Sequence, residues 1–329
     1  MMRRTTAIAA LCALAGIAGG AAMVAAQQQP MFRARRDVVR VDVLVTDHGR
    51  PVRGLTAADL VVLDNGAAQD IDSVSSDDAQ VNAVMALDVS GSVAGDRLDH
   101  LRGASRALIK ALKKDDRSAL LSFSDIVELD AALTPDLPGV LASLERIHAG
   151  GGTALQDAAY AGLALGESDA GRSLLIVFSD GFDTASWLTA DAVLDIGKRS
   201  EAVVYGVSVR KPNPALQLSG QSNVPVNLRD SFARNAQARA ETLYGAKVGD
   251  SKPVFLRDLS AATGGSLIEI ESTKNLDALF VSVLDEFRQR YLVSYSPKGG
   301  LTPGWHKIEV RVKSRGGLTI KARPGYQAG

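Results

Sequence analysis

Three strongly apolar runs, at residues 81–87, 173–178 and 202–209, are separated by stretches whose apolar residues recur every three or four positions. No other feature constrains the fold of this chain so tightly. A strand that is apolar on both faces needs cover on both, and the intervening helices supply it, which calls for a parallel sheet wrapped on two sides. The stretch 97–112 puts Leu98, Leu101, Ala104, Leu108, Ile109 and Leu112 on one helical stripe. A final helix carries Leu276, Leu279, Phe280, Val283, Leu284 and Phe287 in the same way. Further helices are expected at 137–147, 154–165, 190–198 and 255–262, with strands at 118–123, 127–129 and 265–270.

The chain ends follow a different rule. Val39, Val41, Val43 and Val45 alternate with Arg40, Asp42 and Thr46, the pattern of a half-buried strand. Thr56, with Asp59 three residues on, reads as the cap of a short helical turn. Asp64-Asn65-Gly66 is a hairpin signal between apolar residues 61–63 and 71–74. Beyond 290, a strand at 291–295 is followed by Ile308, Val310 and Val312 alternating with charged residues, and then by Leu318, Ile320 and Ala322. Neither end has enough strands to bury a core alone, so the two ends are expected to pair into one small antiparallel β module. The expected organisation is accessory strands at 37–80, a doubly wound, mostly parallel Rossmann-like α/β domain at 81–290, and accessory strands at 291–326. Residues 210–253, with Pro212 and Pro214, fit neither pattern and read as an insertion, either a loop of no specific role or one on the ligand-binding edge.

Residues 1–26 have the anatomy of a secretory signal: Arg3-Arg4, an apolar stretch, and Val24-Ala25-Ala26 as a small-residue cleavage site. A retained membrane anchor is the alternative, but the Ala/Gly-rich stretch and its A-x-A-like ending favour cleavage and leave no membrane span afterwards. The single cysteine, Cys12, follows Leu11, which a lipoprotein signal does not favour. The mature chain is therefore expected to be exported, periplasmic or secreted, with no disulfide. The 37 basic residues balance 37 acidic ones, and losing Arg3 and Arg4 leaves 35 against 37, a net charge of −2. That balance offers no broad basic surface for nucleic acid.

Three oxygen-bearing motifs stand where such a sheet binds ligands, outside the carboxyl ends of its central strands. Asp88-Val89-Ser90-Gly91-Ser92 follows the first apolar run and lets one carboxylate and two hydroxyls curl around a point. Gly150-Gly151-Gly152 leads to Thr153 at a helix start, and Ser179-Asp180-Gly181 follows the second apolar run. Each alone has a plainer reading. Asp, Ser and Gly suit any turn, Thr153 with Gln156 matches a capping box, and Asp-Gly is a common turn pair. Together they converge on one crevice.

This pattern resembles the metal-ion-dependent adhesion site of the von Willebrand factor type A domain family, over residues 81–290. The resemblance implies a metal held by the hydroxyls of Ser90, Ser92 and Thr153, with Asp88 and Asp180 acting through water or hydrogen bonds. Few directly bound carboxylates leave the ion electrophilic, able to accept a carboxylate from outside. Mg²⁺ suits this small oxygen set and Mn²⁺ can substitute. The implied partner is a protein presenting Asp, Glu or a C-terminal carboxylate. A narrower resemblance, to a bacterial group of exported type A-related proteins, rests on Val41-Asp42-Val43-Leu44-Val45-Thr46-Asp47, Gly54-Leu55-Thr56-Ala57-Ala58-Asp59-Leu60, Arg290-Tyr291-Leu292-Val293-Ser294-Tyr295-Ser296-Pro297 and Lys321-Ala322-Arg323-Pro324-Gly325-Tyr326.

The leading expectation is thus a non-enzymatic binding module. A metal-assisted hydrolase is the alternative; it needs a general base, and His148 is the nearest in sequence. His48, His100 and His306 are scattered and form no zinc spacing. An envelope scaffold with a vestigial metal site is the third reading.

Overall fold

Val39, Val41, Val43 and Val45 are all buried on the inner face of the strand Val39–Asp47 (β1), as their alternation predicts. The computed structural model describes residues 38–76, 79–167, 171–180, 182–209, 254–313 and 316–329; the expected signal segment and the insertion at 210–253 lie outside them. After β1 come Arg50–Pro51 (β2), Leu60–Asp64 (β3), Ala67–Gln69 (β4) and Ile71–Ser75 (β5). Asn65 and Gly66 both have positive φ, 48° and 83°, the requirement of a two-residue hairpin turn. So tight a turn brings the very next residues into register. The return strand is therefore β4, with Asp64 opposite Ala67 and Val62 opposite Gln69, and not the expected 71–74 segment. Thr56 starts no helix: its N–H and hydroxyl both donate to Asp59 Oδ2, at 2.8 and 2.7 Å, closing a turn.

The α/β part runs Val81–Asp88 (β6), Asp96–Ala111 (α1), Arg117–Phe123 (β7), Val127–Thr134 (β8), Leu137–Leu144 (α2), Leu155–Gly166 (α3), Arg172–Ser179 (β9), Ala190–Arg199 (α4), Val203–Val209 (β10), Val254–Ala262 (α5), Ser266–Ile270 (β11) and Leu276–Arg288 (α6). The six strands lie in the order β11-β10-β9-β6-β7-β8. All neighbours are parallel except β7 and β8, so the sheet is mixed at one edge. Every residue of β6, β9 and β10 is buried. Met85 and Leu87 face the side covered by α1, α2 and α6, while Val84 and Ala86 face α3, α4 and α5. Burying one such side chain contributes roughly 1.5–3 kcal/mol, so these two layers dominate the stability of the sheet. β8 runs five residues past the expected 127–129 segment because pairing with β7 carries it on to Thr134. From β6 the chain passes to β7 on one side and, two helices later, to β9 on the other. The crevice between the ends of β6 and β9 is therefore the point where connections diverge.

Tyr291–Tyr295 (β12), Gly304–Val312 (β13), Thr319–Lys321 (β14) and Gly325–Ala328 (β15) complete the chain. They join the first strands in two antiparallel sheets, β14-β1-β12-β5 with β2 beside β1, and β15-β13-β3-β4. One apolar cluster, including Val41, Val62, Val293 and Ile308, lies between the two sheets. Arg172 at the start of β9 binds the β1 residue Asp42 through Nε (2.8 Å) and Nη2, donates to the Phe287 carbonyl at 3.1 Å, and stacks over the Phe287 ring. Among the described residues no helix is long and apolar enough to cross a membrane.

Candidate metal centre

β6 ends on Asp88, which is fully buried because both neighbouring strands extend as far. The Ser90 N–H donates to Asp88 Oδ1 at 2.8 Å, and the Ser179 hydroxyl, at the end of β9, donates to Oδ2 at 2.7 Å. Ser90 Oγ lies 3.2 Å from Ser92 Oγ, and Ser92 Oγ donates to Asp180 Oδ1 at 2.5 Å. Arg97, in the first turn of α1, donates from Nη1 to Asp180 Oδ2 at 2.6 Å and to the Ser92 carbonyl at 3.2 Å. Asp88, Ser90, Ser92 and Asp180 thus form one hydrogen-bonded cluster.

The glycine loop that carries Thr153 lies against the Asp88–Ser92 turn. Gly91 N–H donates to the Gly151 carbonyl at 3.1 Å and Gly150 N–H to the Val89 carbonyl at 2.8 Å, stitching this loop to the Asp88–Ser92 turn. Gly151 has φ +78°, and a Cβ there would stand 2.2 Å from Asp125 Oδ2, so only glycine fits without displacing that carboxylate. The expected capping box is not made. Ala154, not Thr153, is the N-cap of α3, and no side chain caps it. The Gln156 N–H is taken instead by Asp183 Oδ2 and Ser186 Oγ, both at 3.0 Å, and the Asp157 N–H by Ser186 Oγ at 3.1 Å. A loop beyond Asp180 therefore does the capping, and the buried Thr153 hydroxyl has no role at the helix start.

Burial pushes the Asp88 carboxyl above its ordinary pKa; the hydrogen bonds from Ser90 and Ser179 oppose this, while the Asp180 charge adds to it. No cationic side chain pairs with Asp88 among the described residues. A buried carboxylate so placed is costly unless a positive charge joins it. The donors around it are hydroxyl and carboxylate oxygens, which suit a hard divalent cation. Among the described residues no three His, Cys, Asp or Glu side chains cluster as a metal site, so any ion here depends on the hydroxyls.

Residues 83–182 match the von Willebrand factor type A domain family. The match includes all five predicted positions, together with Arg97 and Asp125. Solved structures similar to this chain include BatB, a conserved hypothetical protein from Bacteroides thetaiotaomicron, at 15% identity and TM-score 0.43, covering 63% of this chain and 98% of that one. A von Willebrand factor type A protein from Catenulispora acidiphila is 11% identical with TM-score 0.48, covering 90% and 75%. Proximal thread matrix protein 1 of the mussel byssus, with a zinc-occupied MIDAS motif, is 10% identical with TM-score 0.48, covering 68% and 49%. No curated protein matches the sequence.

Around the type A match the structure adds residues that the motifs did not reveal. Ser179 and Arg97 bind the two acids directly. Asp125 accepts the Gly152 N–H at 2.8 Å, and Thr184 Oγ1 accepts the Thr153 N–H at 3.0 Å. Arg97 had a readable signal, the first cation after the motif, five residues past Ser92; Thr184 and Asp183 had none beyond polarity. His148 is exposed, and none of the histidines hydrogen-bonds to a site hydroxyl among the described residues.

Proposed function

We propose that this centre binds one divalent cation, Mg²⁺ with Mn²⁺ able to substitute, and uses it to capture an acidic group of a partner protein. Ser90, Ser92 and Thr153 would hold the ion, with Asp88 and Asp180 acting through water or through the hydroxyls they already hydrogen-bond. The bound ion would supply an electrophilic coordination position for an Asp, Glu or C-terminal carboxylate. The chain's own part is to fix the hydroxyls on two stitched loops and to surround them with negative charge that a dication offsets. The observation that carries this reading is the buried Asp88 carboxylate, hydrogen-bonded to Ser90 and Ser179 but paired with no cation among the described residues. The module works by binding, not turnover. It acts outside the cytoplasm, periplasmic or secreted, after removal of residues 1–26, and residues 81–290 carry the site while 37–80 and 291–326 form an accessory module.

Calorimetric titration with Mg²⁺ tests this. The wild-type chain binds one ion, whereas Asp88→Asn, whose Oδ1 can still accept the Ser90 N–H and whose Nδ2 can donate to the Ser179 hydroxyl, folds normally and binds Mg²⁺ at least about 100-fold more weakly. Equal Mg²⁺ affinity in the two proteins would remove the assignment.

A further inference from the structure

Eight large hydrophobic side chains stand exposed among the described residues, and three of them, Ile126, Phe182 and Trp187, occupy the two loops that bracket the glycine loop of the metal centre. The bracketing is tight. A Cβ on Gly152 would lie 2.8 Å from Asp125 Oδ1 on one side and 3.1 Å from Thr184 Oγ1 on the other. Ile126 adjoins Asp125, while Phe182 and Trp187 lie on either side of Thr184 in sequence. Single exposed apolar residues are ordinary; their grouping beside one site is not.

Trp187 is 92% exposed, yet its backbone is anchored. Its N–H donates to Asp157 Oδ2 and the Leu188 N–H to Asp157 Oδ1, both at 2.9 Å. Ser186 Oγ accepts the N–H groups that open α3. The same loop holds Thr153, whose carbonyl accepts the Thr184 N–H at 2.8 Å and the Ala185 N–H at 3.2 Å. A segment that fixes a hydroxyl ligand thus also presents an indole to solvent on an ordered backbone, the kind of anchor that dominates protein interfaces.

We propose that Ile126, Phe182 and Trp187 form an apolar lip that selects, from among acidic partners, a protein segment whose metal-binding carboxylate is flanked by aromatic or large aliphatic side chains. This rests on the metal-capture reading above. A lipid surface is the competing occupant of such a lip, but Asp125 and Asp183 in the same two loops oppose an array of anionic headgroups, whereas the single carboxylate of a protein segment is offset by the bound dication.

The test is selection of phage-displayed random dodecapeptides on the full chain in Mg²⁺ buffer, followed by affinity measurement of a selected peptide on variants. Trp187→Ala removes a side chain that packs on little, so the fold is kept. Selected peptides are expected to carry Asp or Glu beside an aromatic or large aliphatic residue. Trp187→Ala and Phe182→Ala should each weaken that peptide about tenfold while leaving Mg²⁺ affinity unchanged. Acidic peptides with no apolar neighbour, or equal peptide affinity in Trp187→Ala, would overturn the lip while leaving metal capture in place. Peptides that bind without Mg²⁺ and survive Asp88→Asn would overturn metal capture itself. Binding to phosphatidylglycerol vesicles that Trp187→Ala abolishes would assign the lip to a membrane and overturn the proposal.

Discussion

Two buried aspartates each end a strand of this molecule, and their surroundings are opposite. Asp64, at the end of β3, accepts from the hydroxyls of Tyr295 and Tyr326 and pairs with His306 Nδ1, all at 2.9 Å. Asp88, at the end of β6, accepts one N–H and one hydroxyl and meets no cation among the described residues. The first is a closed arrangement in which donors and charge are balanced within the fold. The second leaves negative charge buried beside a second acid. Burial alone therefore does not distinguish the two carboxylates; what does is that, among the described residues, only Asp64 has a partner able to carry positive charge.

The largest effect should come from breaking the closed arrangement. Asp64→Ala leaves the buried His306 ring and two tyrosine hydroxyls without their partner, and urea unfolding should show a loss of about 3–5 kcal/mol. At the open site the same kind of change should act on binding and spare stability. Asp88→Asn should lower Mg²⁺ affinity by about 100-fold or more in calorimetry, while unfolding shifts by less than about 1 kcal/mol. A loss of stability like that of Asp64→Ala would mean that the two acids play the same structural part. Gly151→Ala lies between these cases, because it strains a backbone at φ +78° and displaces Asp125. It should cost about 1–3 kcal/mol and weaken Mg²⁺ about tenfold through Thr153.

Two smaller effects sharpen the contrast. Both His306 nitrogens face acceptors, Asp64 Oδ1 at 2.9 Å and the Thr302 carbonyl at 2.7 Å. Burial favours the neutral ring, but the Thr302 carbonyl and the Asp64 carboxylate outweigh it and raise the pKa above the ordinary 6.5. The stability gained from this pairing is therefore full below pH 6.5 and is lost as pH rises through the raised native value. Urea unfolding at a series of pH values should show that decline in the wild type and not in His306→Gln. Last, Arg97→Gln removes the guanidinium on Asp180. Because that side chain is 42% exposed, the repulsion it exerts on a dication is screened, and Mg²⁺ should bind only about two- to threefold more tightly.

Much of this arrangement could be read from residue order. The apolar runs become β6, β9 and β10 because burial on both faces leaves no other use for such segments. Asp88 and Asp180 then fall at adjacent strand ends, and the structure links them through Ser92 and Ser179. Thr153 was ambiguous because Gln156 stands where a capping box wants it. The choice was made by Asp183 and Ser186, about 30 residues away, and no local spacing encodes that. The hairpin partner of β3 differs from the expected segment for a related reason. Apolar content pointed to 71–74, but the turn geometry at Asn65 and Gly66 fixed the nearer Ala67–Gln69, and β5 pairs instead with a strand more than 200 residues later. Long-range partners, not propensities, account for what the sequence left open.

A crystal of the protein grown with Mn²⁺ tests the central claim most directly through its anomalous difference map. The account predicts a single strong peak roughly 2.1–2.2 Å from the hydroxyl oxygens of Ser90, Ser92 and Thr153, between Asp88 and Asp180. An empty crevice at saturating Mn²⁺, or a peak bound elsewhere with these hydroxyls unliganded, would contradict it.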